Sequence, residues 1–182
     1  MKLVIGLIGE IASGKDTVAE HISKEYGASV YRFSDVLRDV LRRLHLENTR
    51  ENLQSIGVSI RQAFGVGVLA DCIREDMLED TSDLIVVDGV RYAHEAEMVR
   101  SFENNLLLYV TAPENMRYKR AVGRGTRGEK KISFEQFKKA GEGGTEGMIR
   151  QIAGQADHTI ENTGTVEELC GKTDKIIKTK LV

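Results

Sequence analysis

The chain has 182 residues, 41% of them hydrophobic and 30% charged, enough for one packed domain and too few for two comfortable ones. Its 26 basic and 28 acidic side chains leave a formal charge of -2, so no global basic field points to nucleic acid or an anionic membrane. Cys72 and Cys170 form no C-x-x-C pair and the four histidines make no zinc-binding cluster; two buried or half-buried thiols in a reducing compartment are expected.

Residues 3–8 are a short apolar run with β-branched members, a buried strand by length and by its closing glycine. The run has no signal-peptide cleavage site, and no stretch reaches the roughly 20 apolar residues of a membrane span; a cytoplasmic, membrane-free protein is expected. Next comes Gly9-Glu10-Ile11-Ala12-Ser13-Gly14-Lys15-Asp16-Thr17, a G-x-x-x-x-G-K pattern. It is followed by helical spacing of Val18, Ala19 and Ile22 over 14–25. Glycines in such a turn let successive N–H groups curl around phosphate oxygens, and the helix start adds its dipole. All nine residues are therefore candidate ATP ligands, with Lys15 reaching the β and γ phosphates. The residue after the lysine, a Ser or Thr in the usual pattern, is Asp16, and the hydroxyl comes one later, at Thr17. A carboxylate suits Mg²⁺ and is also favoured at a helix start, so Asp16 is either a metal ligand or a helix-start charge.

Residues 28–33 read as a second strand and 35–44 as a helix in which Asp35 is a candidate cap. Helices follow at 49–63 and 68–78, broken by Gly65 and Gly67. Residues 84–87 are the clearest buried strand, closed by Asp88-Gly89, which places an acid at the strand end that faces the crevice of an open α/β sheet. A helix at 93–102 and a strand at 106–110 follow, and Pro113 suits the first turn of the next helix. The Gly-, Arg- and Lys-rich residues 123–131 predict a mobile loop. Helices at 133–140 and 145–153, a strand at 158–160 and a helix at 166–177 complete the chain. Strands alternating with helices predict an α/β fold, a parallel sheet flanked by helices in three layers, and a single domain over 1–182.

The Gly-Lys-Asp-Thr ending of residues 14–17 resembles P-loop kinases of small phosphorylated molecules, among them deoxynucleoside monophosphate kinases. Val87-Asp88-Gly89-Val90-Arg91 resembles the Asp-Gly-x-x-Arg of adenylate kinases, shortened by one residue. That resemblance implies that Asp88 orders Mg²⁺ or accepts the acceptor's proton, and that Arg91 holds the acceptor's phosphate. Asp35-Val36-Leu37-Arg38 resembles the Asp-Met-Leu-Arg of the same enzymes, where the arginine forks onto the acceptor phosphate, which implies Asp35 and Arg38 as acceptor-binding residues. Arg50, Gln54 and Arg61 resemble loosely an acceptor-recognition helix of deoxynucleoside monophosphate kinases, and a solvated face accounts for them equally.

Arg117, Arg120, Arg124 and Arg127, with Lys119, Lys130 and Lys131, resemble the arginine-rich lid of adenylate kinases, and imply Arg120 and Arg124 as catalytic cations. Residues 156–164 resemble the Ala-Asp-x-x-Ile-x-Asn segment of dephospho-coenzyme A kinases, which makes residues 162–165 weak candidates for contacting a base. Taken together the resemblance implies a P-loop kinase fold with an acceptor-binding insert at about 34–80 and a short lid at about 120–140. It implies ATP and Mg²⁺ as cofactors and a small phosphorylated acceptor as partner, with nucleic acid absent. A nucleoside or deoxynucleoside monophosphate is the leading acceptor; a dephospho-coenzyme A kinase-like enzyme and a regulatory ATPase are the alternatives. Oligomeric state is left open.

Overall fold

A strand that is apolar at every position has no polar face to offer water, so it is stable only where both faces are covered. The computed structural model describes residues 2–124, 132–142 and 145–181 and places β1 (Leu3–Ile8) in that situation, buried along its whole length. The other strands are β2 (Ser29–Arg32), β3 (Leu84–Val90), β4 (Asn104–Thr111) and β5 (His158–Glu161). Among the described residues they form one five-stranded parallel sheet of order β2-β3-β1-β4-β5.

The period-2 alternation of strand side chains divides β1 between two cores. Leu3, Ile5 and Leu7 meet Val18, Ala19 and Ile22 of α1 (Lys15–Tyr26) and Leu169 and Ile177 of α9 (Val166–Lys180). Val4 and Ile8 face the opposite layer. That layer is built from α2 (Phe33–Arg43), α4 (Val68–Glu79), α5 (Ala93–Arg100) and α8 (Thr145–Ala153). Cutting a fully buried member such as Ile5 to alanine would cost about 2–5 kcal/mol. The remaining helices are α3 (Arg50–Phe64), α6 (Glu114–Arg124) and α7 (Phe134–Glu142). No single helix among the described residues is long and apolar enough to cross a membrane.

The chain runs from β1 to β2 toward one edge of the sheet and from β1's other neighbour, β4, to β5 toward the opposite edge. The gap between β1 and β4 is therefore a topological switch, where open α/β sheets hold ligands. The segment after β1 is therefore placed at the crevice by strand order alone.

Several boundaries differ from the sequence expectation for physical reasons. β3 does not end before Asp88: Leu7 pairs with Asp88 and Ile8 with Val90, so Gly89 bulges out and the strand continues. The bulge needs φ +89° at Gly89, a region that glycine enters without strain, and it re-aims the strand just beyond Asp88. α2 begins at Phe33 rather than Asp35, with extended Arg32 at its N-cap, so Asp35 lies inside the first turn and caps nothing. Pro113 precedes α6 and its carbonyl accepts from the Met116 and Arg117 amides at 2.9 and 3.0 Å. α6 runs to Arg124, so Gly123 and Arg124 are helical rather than loop, while residues 125–131 of the expected loop lie outside the described residues. Cys72 is exposed, not buried, and Cys170 is half-buried.

Asp157, in the Ala-Asp segment before β5, is a brace. It accepts from both ends of the Arg100 guanidinium at 2.8 and 3.1 Å and from the Leu107 amide at 2.7 Å. Burial alone would raise its pKa, but those donors outweigh it and hold the carboxyl below the usual range.

Candidate active site

The turn from β1 to α1 is tight because its backbone enters the left-handed region twice, at Ala12 (φ +59°) and Gly14 (φ +106°). The Ser13 amide donates to the Glu10 carbonyl at 3.1 Å, and the Val18 amide to the Gly14 carbonyl at 3.1 Å starts the helix. No side chain caps α1. First-turn amides have no partner within a helix, so this end is suited to an anion. A Cβ at Gly14 would collide with the Asn162 side-chain amide.

The cradle is supported from behind. Arg117, 6% exposed, donates through Nε to the Ala112 carbonyl at 3.0 Å and through Nη1 to the Ile11 carbonyl at 3.5 Å. Its guanidinium stands 5.9 Å from the centre of the Phe137 ring. Arg117 thus braces the turn and is not a lid cation. Buried Glu10 accepts at Oε1 from the Tyr109 hydroxyl at 2.6 Å, while Oε2 and the Ser13 hydroxyl have no hydrogen-bond partner among the described residues. Burial and the bond to Glu10 push the Tyr109 phenol up.

At the mouth of the turn, charges alternate along a chain of five residues. Arg32 Nε is 3.0 Å from Asp88 Oδ2, and Lys15 Nζ is 3.6 Å from Asp88 Oδ1. The same ammonium is 2.5 Å from Asp16 Oδ1, and Arg124 Nη1 is 3.6 Å from Asp16 Oδ2. Lys15 is 8% exposed and Asp88 5%, a burial that lysine and aspartate tolerate only when paired. Lys15, Asp16, Asp88 and Arg124 are thereby brought together.

Arg32 is a residue that the sequence reading missed. It is the last residue of β2 and sits opposite Asp88 in the sheet register. Seeing that requires knowing that β2 pairs with β3, which no local pattern states.

Asp16, Asp88 and half-buried Thr17 offer hard oxygen donors of the kind Mg²⁺ takes, and Asp88 Oδ1 is buried without a hydrogen bond. Among the described residues no cluster of three or more acids, histidines or cysteines could hold a metal ion by itself. That fits Mg²⁺, which usually takes one or two carboxylates and completes its shell with phosphates and water.

The expected acceptor residues are less concentrated. Arg38 pairs with Asp35 one turn away and donates to Ser34 Oγ at 3.0 Å, so its contacts stay within α2. Arg91 follows β3, and its amide donates to Glu95 Oε2 at 2.7 Å, as does the Tyr92 amide at 3.2 Å. Arg61 approaches Glu95 Oε1 at 3.6 Å and lies 4.7 Å from the Tyr92 ring centre. Arg50 and Gln54 are exposed, so of the α3 trio only Arg61 turns inward. Glu95 is 4% exposed, and its pKa is lifted to about 6 by burial, partly offset by the two amides and by Arg61 and Arg91.

On the other side of the cradle, Arg120 Nη2 donates to the Asn162 carbonyl at 3.1 Å and to Asn162 Oδ1 at 3.3 Å. Its Nη1 is buried with no hydrogen bond among the described residues. Asn162 is 7% exposed, and its amide nitrogen donates to the Ser13 carbonyl at 2.8 Å. The segment expected near a base therefore turns into the back of the cradle at Asn162, while Thr165 caps α9 by accepting from the Glu168 amide at 3.3 Å. Arg127, Lys130 and Lys131 lie outside the described residues.

A family of AAA domains matches residues 8–138. A UPF0200 protein of Methanosarcina barkeri is 31% identical over 166 residues, covering 90% of this chain and 88% of that protein. A UPF0200/UPF0201 protein of Archaeoglobus fulgidus is 30% identical over 179 residues; the match takes in 96% of this chain but 54% of that protein, so the chain spans about half its length. Among solved structures, TT1252 from Thermus thermophilus superposes with a TM-score of 0.65 at 17% identity, covering 100% of this chain and 98% of the other. A shikimate kinase from Acinetobacter baumannii, solved with shikimate, gives 0.59 at 16% identity over 98% and 94%. At these identities the structural likeness establishes the fold, that of the P-loop kinases.

Proposed function

The chain belongs to the AAA-domain and UPF0200 families and has a P-loop kinase fold, and from that premise we propose that it transfers the terminal phosphoryl group of ATP to a small phosphorylated acceptor. A nucleoside or deoxynucleoside monophosphate is the leading acceptor, to be gripped by two arginine-bearing segments, Asp35 to Arg38 in α2 and Asp88 to Arg91 at the end of β3. The observation that carries the reading is the Lys15 ammonium held between Asp16 and Asp88 at 2.5 and 3.6 Å, at the mouth of an anion-suited turn.

In this reading residues 9–17 bind the triphosphate, with backbone amides on its oxygens and Lys15 leaving its carboxylates for the β and γ phosphates. Asp16, Thr17 and Asp88 would hold Mg²⁺, which when bound neutralises phosphate charge. Arg124 and Arg120 add positive charge where the transferred group becomes most anionic, which is the main source of acceleration in phosphoryl transfer. Arg38 and Arg91 grip the acceptor's phosphate, since a planar guanidinium pairs with two of its oxygens at once. An acceptor oxygen then bonds to the γ phosphorus as the bond to the ADP oxygen breaks. Asp88 takes the proton if the acceptor is a hydroxyl. The whole chain is proposed as one kinase domain with its insert at about 34–80 and a lid at about 120–140, of which 125–131 lie outside the described residues.

The test is a panel of nucleoside and deoxynucleoside monophosphates, dephospho-coenzyme A, and small hydroxy acids or sugars, each with ATP and Mg²⁺ and with product detection. A phosphorylated product from a monophosphate supports the reading; product only from dephospho-coenzyme A moves the acceptor to a ribose hydroxyl. ATP hydrolysis with no acceptor product across the panel favours a regulatory ATPase. Lys15→Ala is the control: a folded variant with near-normal turnover removes the phosphate-cradle assignment.

A further inference from the structure

One side chain outside both the cradle and α6 touches both. Asn162 leaves the sheet just after β5, where its own amide donates to the Thr111 carbonyl at 2.7 Å and fixes it to the end of β4. From that anchored position its side chain acts in two directions. The amide nitrogen donates to the Ser13 carbonyl, and the amide oxygen accepts from Arg120 Nη2, with the Asn162 carbonyl accepting from the same nitrogen. Asn162 is 7% exposed, so these bonds form away from water, where an unmade partner is costly. Asparagine is the residue type that carries a donor and an acceptor on one planar group at this length. Gly14 is part of the same fit, because any Cβ there would occupy the place of the Asn162 amide.

We infer that Asn162 is a positioning residue that holds the phosphate cradle and Arg120 in register with each other. Arg120 is then a fixed component of the donor site, set by the β5 end of the sheet, rather than a cation delivered by a lid. The bond to the Ser13 carbonyl sets the curl of the cradle, and the bonds to Arg120 leave its buried, unbonded Nη1 as the donor available to a phosphate. The part of this inference that concerns ATP rests on the proposed kinase reading; the part that concerns the cradle's order does not.

Two variants separate the two arms. Asn162→Leu keeps the volume and removes both side-chain bonds. Asn162→Asp keeps an acceptor for Arg120 but has no donor for the Ser13 carbonyl and repels it. Amide hydrogen exchange of residues 10–15, measured on the full chain without nucleotide, should quicken about 10-fold or more in both variants, while helices far from the site keep their protection. ATP affinity, measured by calorimetry, should fall about 10-fold in Asn162→Leu. Arg120→Ala should cost about 10-fold in ATP affinity in the wild-type and Asn162→Asp backgrounds, but less than about 3-fold in Asn162→Leu, where the arginine keeps only the backbone carbonyl and is no longer oriented by the side chain. Unchanged exchange at 10–15 in either folded variant overturns the inference, as does an Arg120→Ala penalty that multiplies fully with Asn162→Leu. If the wild-type chain fails to bind ATP, the kinase reading falls, and the exchange experiment still decides the role of Asn162.

Discussion

Arg32 and Asp88 are joined twice: they are partners in the β2–β3 register, and the guanidinium Nε lies 3.0 Å from the carboxylate Oδ2. The backbone pairing delivers the side-chain pairing, so Asp88 is aimed by the sheet itself. Its other oxygen is left to Lys15 at 3.6 Å.

Removing Arg32 should therefore be felt through Asp88. Arg32→Ala leaves a carboxylate that is 5% exposed with one longer contact, an uncompensated buried charge of the kind that costs several kcal/mol. Arg32 itself is about one third exposed, so solvent screening lowers the expected loss to about 1–2 kcal/mol in urea unfolding. The same substitution in an Asp88→Asn background should cost less than half as much. Equal losses in both backgrounds would show that Arg32 stabilises the fold by some other contact.

Metal dependence separates the two aspartates from mere helix-start and strand-end charges. Asp16→Ala and Asp88→Asn should each raise the Mg²⁺ concentration for half-maximal rate, by about 10-fold for loss of a charged contact worth about 1.4 kcal/mol. The protein's own stability without nucleotide should fall by no more than about 1–2 kcal/mol in Asp16→Ala, because Lys15 keeps its contact to Asp88 and Asp16 is about one third exposed. An unmoved Mg²⁺ requirement in Asp16→Ala assigns that residue to the helix start alone.

How far the sequence led depends on the range of each interaction. β1 and the cradle were legible because an apolar run, a glycine pair and a lysine at fixed spacing are local, and local chemistry decides them. The helices of the insert were legible from periodicity to within a few residues, and Asp88 from its place at a strand end. Arg32 and Asn162 were not legible as partners of the site. One reaches it through the β2–β3 pairing and the other across 149 residues of chain, and no spacing rule encodes either contact. Arg117 was misread for the opposite reason: its neighbours in sequence are basic, but a 6% exposed arginine bonded to two carbonyls is a brace. The bulge at Gly89 was hidden because Asp-Gly reads equally well as a strand-ending turn.

Glu95 should give stability a pH dependence of its own. Its folded pKa of about 6 lies above the ordinary 4.5, so the folded state holds a proton that the unfolded chain has released between those values. Stability contributed by this group is thus full below about pH 4.5 and is lost as pH rises through 6. The loss is about 2 kcal/mol, 1.5 pH units at about 1.4 kcal/mol each. Glu95→Gln still accepts from the Arg91 and Tyr92 amides but cannot ionise. Denaturation at pH 4.5 and pH 7 should show the difference between wild type and variant shifting by about that amount in the variant's favour at the higher pH. A constant difference would mean that Arg61 and Arg91 compensate the charge fully.

The last prediction divides the arginines between the two substrates. Arg120 and Arg124 lie on α6 and touch the donor side: Arg124 reaches Asp16, and Arg120 is held by Asn162, which is bonded to the cradle at Ser13. Arg38 and Arg91 follow β2 and β3, on one side of β1 in the sheet, and their contacts run to Asp35, Ser34 and Glu95, whereas α6 and Asn162 follow β4 and β5 on the other side. If this division reflects use, Arg38→Ala and Arg91→Ala should raise the acceptor's KM about 10- to 100-fold, for about 1.4–3 kcal/mol of lost charge-assisted contact, and leave the KM for ATP nearly unchanged. Arg124→Ala should instead lower kcat, because charge that builds up only during transfer is stabilised only then. Arg120→Ala should both lower kcat and weaken ATP binding, since its fixed guanidinium meets the phosphates before transfer. Arg38 has a further expectation of its own. It is paired with Asp35 within α2, so Asp35→Asn should release it and make the acceptor bind at least as well as in wild type. Steady-state kinetics with both substrates varied checks all five variants. The same signature for the α6 pair and the strand-end pair, or an Arg38→Ala effect confined to ATP, would show that the acceptor approaches from elsewhere, even with the cradle correctly placed.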